Sequence, residues 1–403
     1  MHPTFDPLPI ETRLGPYDVV AQSDRAETVR WHPLLLGWAI TGHAETTRVL
    51  NDPSFASDRA RASLPGLGPQ GAPLAQAPAA VDDVFRRMLL FTDPPDHPRV
   101  RGLVGRAISP IAVGRYRPAI TQLVEGILRG LDPGRDVDFM AQVARPVAAG
   151  VLAHVLGIGP DDRPDFDRWS DALEHAIDPR HSIEALARAE PVISEMERWL
   201  GNLVALRRRS PGDDVISFLA TEGVDKGVIT LSEVLATVAL LGAVGRETVA
   251  DLMGSAVLLL LRHPDQRAVL QERPSGLVPA IEESLRCESP AQVIARVATR
   301  AGDLGGEHLS PGDMVILLLG AANRDASRFR DPERFDVRRH PNRHLAFGAG
   351  PHRCPGASLG RAQARVALAG FLRQFPAFNG DPAASRWKPT VVHRGLSNLP
   401  LHL

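Results

Sequence analysis

The sequence predicts a mainly α-helical fold with small β-sheets, and three observations carry that expectation. Apolar residues at helical spacing dominate 97–208, interrupted at Asp132-Pro133-Gly134 and Gly159-Pro160. A second long apolar run opens at Thr230 and stops at His263-Pro264. Strand-like runs are short and lie near the start and beyond Pro290. A chain of 403 residues with 44% hydrophobic content buries a large core, which excludes a disordered protein. Neither an internal repeat nor a linker divides it, so residues 1–403 read as one unit.

In chain order, 29–41 reads as a short hairpin turning near Leu36-Gly37. A short helix over 42–50 follows and is stopped by Asn51-Asp52-Pro53. Residues 61–80 are rich in Pro, Gly, Ala and Gln without periodicity, which predicts a long loop. At Thr230, Thr230 and Glu233 match the capping-box pattern. A continuous helix from there to Arg262 would run roughly 48 Å. It is apolar nearly all round, as befits a helix through the middle of a core, while Arg246, Glu247 and Asp251 exclude a membrane span. Past Pro290, 293–300 and 314–319 read as strands, with the turn Ser310-Pro311-Gly312 between them. After an irregular tract over 321–345, a last helix opens past Cys354-Pro355-Gly356 and runs to Phe375, and a hairpin closes the chain.

A formal net charge of −1 argues against nucleic-acid and membrane partners. Two cysteines, Cys287 and Cys354, supply neither a disulfide framework nor zinc spacing, and they point to a reducing, cytoplasmic setting. The N-terminal residues carry Pro, Asp and Glu where a signal peptide or anchor would be apolar, so neither is expected. Lysine occurs only at Lys226 and Lys388, a skew toward arginine to which the sequence attaches no function.

The chemistry concentrates in Phe347-Gly348-Ala349-Gly350-Pro351-His352-Arg353-Cys354-Pro355-Gly356. Glycines on either side let the backbone wrap closely, so that amides can point at the sulfur. The helix that follows favours a thiolate through its positive N-terminal end. Such a thiolate is a good soft ligand for haem iron. On local physics alone, a buried structural cysteine in a Gly-rich turn is an equal reading. Elsewhere, Glu283 and Arg286 are three apart on one helix face and can pair, as solvated ions or as a buried network. His97 and Arg101 are four apart and point two donors the same way. Glu247 and Thr248 place an acid–alcohol pair inside the long apolar helix, where it is costly unless hydrogen-bonded.

The cysteine segment resembles the haem-binding signature of the cytochrome P-450 family, Phe-Gly-x-Gly-x-His-x-Cys-x-Gly, at every fixed position. Three further motifs of that family lie upstream in the family's order, so the resemblance spans almost the whole chain. It implies the family's triangular-prism fold, with a long central helix over a haem b. Cys354 is then the iron ligand, within a turn framed by Phe347, Gly348 and Gly356. His97, Arg101, Arg296 and His352 match positions that grip the haem propionates. Glu247 and Thr248 match the acid–alcohol pair that supplies protons. Val244 stands where the family has Ala or Gly, which crowds the space over the iron, and Arg246 is an unusual neighbour that can couple the helix to a nearby acid. The resemblance also implies a structural network of Glu283, Arg286 and Arg334, the last from Pro332-Glu333-Arg334-Phe335. Leu241, Val244, Val293 and Leu396 match pocket-lining positions. Cys287 reads as a small apolar core residue.

The implied activity is monooxygenation of a hydrophobic small molecule with dioxygen. With neither a dinucleotide fingerprint nor a cysteine set for an iron–sulfur cluster, the chain is expected to take electrons from a separate ferredoxin and its NAD(P)H-dependent reductase. Arg99, Arg106, Arg353 and Arg361 are candidate docking charges for that ferredoxin. A peroxide-driven peroxygenase is the alternative enzyme, although it would not need Glu247 and Thr248. A haem protein that binds gas without turnover is the alternative outside catalysis.

Overall fold

The N-terminal hairpin forms as its pattern predicts. Strands β1 (Val29–His32) and β2 (Gly37–Ile40) pair antiparallel, and α1 (His43–Asn51) follows. This computed structural model describes residues 27–33, 35–58, 78–177, 183–390 and 392–403. The N-terminal reading and most of the loop expected over 61–80 therefore lie outside the described residues. Among the described residues beyond β3 (Phe55–Ala56) come the helices α2 (Ala79–Arg87), α3 (Asp96–Ala107) and α4 (Pro110–Arg129). A short strand β4 (Asp136–Asp138) precedes α5 (Arg145–Leu156), α6 (Arg163–Ile177) and α7 (Ile183–Arg209). Gly157 ends α5 in the left-handed region at φ 79°, a stop that glycine makes without strain.

The long central helix departs from the sequence expectation. Thr230 caps it as predicted, with Thr230 N donating to Glu233 Oε2 at 2.8 Å and Glu233 N donating to Thr230 Oγ1 at 3.2 Å. It is not continuous, however. Helix α8 (Leu231–Gly245) stops at Arg246 and α9 (Glu247–Arg262) restarts beyond it. Two forces act at the break. Thr248 Oγ1 donates to Val244 O at 2.7 Å and so competes for a helical carbonyl. Arg246 is drawn toward α6, where it pairs with Asp167 at 3.0 Å and with Asp171.

Helices α10 (Pro264–Glu272) and α11 (Leu277–Cys287) lead to the sheet region. Strands β5 (Val293–Ala298) and β8 (Met314–Leu318) pair antiparallel, as their patterns predict. Between them lies a hairpin that the sequence reading missed, β6 (Gly302–Leu304) with β7 (Glu307–Leu309). The five-stranded sheet runs β1-β2-β8-β5-β3 and packs on its own small core around Val29, Ile40, Val315 and Leu317. The last helix, α12 (Ala357–Gln374), opens just after Cys354. The chain closes with β9 (Arg386–Trp387) paired to β10 (Leu396–Asn398), and β11 (Pro400–His402) paired to β4. The main core is helical and runs from α2 to the C-terminal strands, with α9 completely buried over Ala250, Met253 and Val257. No helix among the described residues is long and apolar enough to cross a membrane.

Candidate active site

The two cysteines meet opposite environments. Cys287 is sealed at 2% exposure and its thiol is pushed up to about 12 by burial, which makes it inert. Cys354 keeps accessible surface. Its amide donates to Phe347 O at 2.8 Å and closes the turn on itself. Gly348 and Gly350 take φ of 65° and 67°, where a β-carbon is strained. At Gly350, a β-carbon would also lie 2.1 Å from the Leu50 carbonyl oxygen, so the turn is pressed against the end of α1. Burial raises the Cys354 thiol above its usual range, while the Gly356 amide, which donates to the sulfur, and the charges of Arg101, Arg353 and Arg361 pull it back. Phe347 is held in turn by Arg361, whose guanidinium lies 4.4 Å from the ring centroid. Glu282 fixes Arg361 bidentately at 2.7 and 2.6 Å and also meets His344 at 3.1 Å.

On a neighbouring wall, α3, β5 and the cysteine turn bring together His97, Arg101, Arg296 and His352. The His97 and His352 rings lie 3.9 Å apart. Arg101 Nη2 donates to Arg353 O, and His352 Nε2 meets Ser57 Oγ at 3.1 Å. Burial and then the charges of His97 and Arg296 push His352 down to about 3; burial and then Arg101 lower His97. Basic groups gathered under mutual repulsion in a desolvated place favour an anion among them. The donor chemistry therefore fits a haem: a soft sulfur on a glycine-wrapped turn for the iron, and bidentate and ring N–H donors for two carboxylates. Cys354 would hold the metal, and His97, Arg101, Arg296 and His352 would hold the propionates.

At the helix break, the structure adds groups that the sequence reading passed over. Lys388 Nζ donates to Glu247 and, at 2.7 Å, to Asp251 Oδ1. Burial would raise Glu247, but Lys388 leaves it below its ordinary value, helped by Arg145 and Arg246. Arg246 couples the helix to acids on α6, as one sequence expectation held. Among the expected pocket residues, Leu241, Val244 and Val293 are half-buried. Leu396 is a correction. It has no exposed surface and packs toward Gly254, so it borders no open space.

The support network needs a second correction. Glu283 and Arg286 are both completely buried and bridge bidentately at 2.8 Å. Arg286 also donates to the carbonyls of Asn323, Pro332 and Arg334. The side chain of Arg334, however, is exposed, and only its carbonyl takes part. The arginine that reaches Glu283 is Arg339, with Nε at 2.9 Å, because the tract after Phe335 turns back toward α11. Asn342 adds a donor at 3.0 Å. Of the candidate docking charges, Arg106 and Arg353 are exposed. Arg99 is engaged by Glu233 and Asp96, and Arg361 by Glu282.

A model of the Cytochrome P450 family matches residues 277–385. The chain is 36% identical over 365 residues to the biotin biosynthesis cytochrome P450 of Bacillus subtilis, covering 91% of this chain and 90% of that protein. It is 32% identical over 369 residues to 6-deoxyerythronolide B hydroxylase of Saccharopolyspora erythraea, covering 91% and 90%. Among solved structures, P450BioI in complex with an acyl carrier protein ligated by hexadec-9Z-enoic acid matches with a TM-score of 0.89 at 33% identity. That match covers 98% of this chain and 99% of that one. CalO2 matches with a TM-score of 0.91 at 32% identity, covering 100% and 99%.

Proposed function

Since the chain belongs to the cytochrome P450 family of haem monooxygenases, we propose that residues 1–403 form one haem-thiolate domain that oxidises a hydrophobic small molecule. It does so with dioxygen and with electrons from a separate ferredoxin and its NAD(P)H-dependent reductase. The observation that carries this reading is Cys354, only partly buried and set in a glycine turn beside the gathered His97, Arg101, Arg296 and His352. Bound haem supplies dioxygen activation and the oxygen insertion. Cys354 gives its sulfur to the iron from the N-terminal end of α12, where the Gly356 amide steadies the negative charge. The four basic groups orient the ring by its propionates.

Thr248, hydrogen-bonded to Val244 O, holds its hydroxyl at the break between α8 and α9. Glu247 and Thr248 move protons toward the distal side. Leu241, Val244 and Val293 keep the pocket apolar and exclude water, which suits a hydrophobic substrate. Relatives whose names refer to biotin biosynthesis and to 6-deoxyerythronolide B hydroxylation, and a neighbour holding a fatty acyl chain, support an apolar substrate class.

The reduced, carbon-monoxide-bound protein is expected to show the red-shifted Soret band of a thiolate ligand, and Cys354→His to abolish that band. An imidazole-type spectrum in the unmodified protein would overturn the assignment. A spin-state titration of the ferric protein against a panel of apolar ligands then identifies the substrate class.

A further inference from the structure

The proposed chemistry uses Glu247 and Thr248 and leaves their buried ionic surroundings without a task. Three parts of the chain meet there. Helix α9 supplies Glu247 and Asp251, α6 supplies Glu174, and the segment after β9 supplies Lys388. Lys388 bridges the two α9 acids, touching Glu247 and lying 2.7 Å from Asp251. Asp251 is completely buried, and its second oxygen, Oδ2, has no hydrogen-bond partner among the described residues. A carboxylate with one orphaned buried oxygen is costly when charged and much less so when that oxygen carries a proton. The lid over it is backbone. A β-carbon at Gly395 would lie 1.8 Å from Asp251 Oδ1, and Lys388 N donates to Gly395 O at 2.9 Å. Arg145, first residue of α5, binds the carbonyls of Leu396 and Ser397 and holds this hairpin down.

We propose that Glu174, Glu247, Asp251 and Lys388 form one proton-storing cluster that reloads Glu247 and, through it, the Thr248 hydroxyl. This rests on the haem monooxygenase reading. Glu247 and Asp251 share one close ammonium, the Glu174 carboxyl adds its charge from α6, and Arg145 and Arg246 are the other charges facing them, so the cluster retains a proton near neutral pH. The electrostatics agree with the geometry. Burial, then the negative charge of Glu247, raises Glu174 to about 7, and burial raises Asp251 to about 6 despite Lys388. The stored proton passes to Glu247. Glu247 then gives a proton to Thr248 Oγ1 as Thr248 releases its own toward the distal side. Glu174, only half-buried, takes the replacement from solvent. Lys388 is a positioning residue in this scheme, because it touches the acids and not the reacting atoms.

The test is an infrared titration of the purified ferric holoprotein in H2O and D2O. A protonated-carboxyl band should appear below neutral pH and fade as pH rises through about 6–8. The band should weaken in Glu174→Gln and in Asp251→Asn, and its midpoint should move up in Lys388→Met, with Lys388→Arg restoring it. In a second arm, NADH consumption is followed with a surrogate ferredoxin and reductase and no added substrate. Its pH profile should show an inflection that tracks the band and is lost in Glu174→Gln. A missing band in that pH window, a band untouched by both acid variants, or an unchanged inflection in Glu174→Gln would overturn the proposal. The thiolate carbon-monoxide spectrum, recorded on each variant, reports separately on the haem reading, so failure of the cluster and failure of the haem assignment are told apart.

Discussion

At Gly350, a single hydrogen atom decides whether the cysteine turn closes. The residue combines φ 67° with a backbone neighbour 2.1 Å from where a β-carbon would stand, and a carbonyl of α1 cannot swing away as a side-chain end can. Gly350→Ala is expected to lower stability by about 2 kcal/mol or more and to cut haem retention, read by thermal melting and by the haem-to-protein absorbance ratio. Thr248 belongs to the same scale but carries the opposite expectation. Its hydroxyl bonds to Val244 O within the helix, so Thr248→Ala should leave the fold and the carbon-monoxide spectrum intact. It should instead divert reducing equivalents to peroxide, measured as peroxide formed per NADH consumed. Full coupling in that variant would count against the proton-relay role.

Arginine joins several elements across the apolar core. Arg286 ties α11 to the tract before the cysteine turn through Glu283 and three backbone carbonyls, with both charged side chains out of solvent. Removing one partner of such a pair leaves a buried charge unmatched. Arg286→Met should therefore cost about 3–5 kcal/mol, seen as a shifted denaturation midpoint, whereas Arg334→Ala should cost little. Arg246 ties the break in the central helix to α6 through Asp167 and Asp171. Arg246→Ala is expected to speed amide exchange along α6 while leaving α9, packed on the core, protected. The capping box at Thr230, the stop at His263 and the hairpin β1–β2 were legible in the sequence, since each is made by residues close along the chain. The ion pairs that hold Arg246 at the interruption were not, because its partners lie 79 and 75 residues away on another helix.

Across the whole molecule, charge placement separates arginines that answer internal acids from arginines left exposed. Arg361 and Arg99 answer internal acids, so reversing either would disturb the fold and report nothing clean about a partner. Arg106 and Arg353 are exposed. Charge reversal at both should slow reduction by ferredoxin at low salt and matter less as salt rises. The acid limb of stability follows from Glu282. Burial would raise this carboxyl, but hydrogen bonds from Arg361 and His344 bring it down to about 2, below an ordinary 4.5. A depressed carboxyl contributes stability above its unfolded value and loses it as pH falls from about 4.5 toward about 2. The loss is on the order of 2 kcal/mol once the partial exposure of Arg361 is discounted. Denaturation midpoints across that window should fall in the wild type and stay flatter in Glu282→Gln.

The cysteine turn, its glycines and the helix behind it could be read from the chain alone. A sulfur, the amides that approach it and the helix that follows all lie within one short window, where spacing is geometry. The mainly helical class was readable for the same reason, since apolar periodicity is local. Tertiary structure decided the rest. Arg339 in place of Arg334 reaches Glu283 across 56 residues, and Lys388 reaches Asp251 and Glu247 across 137 and 141. One of only two lysines in the chain is thus the partner of a buried acid. Burial is what gives such distant pairs their energy, and burial exists only once the helices and the C-terminal hairpin have closed over them.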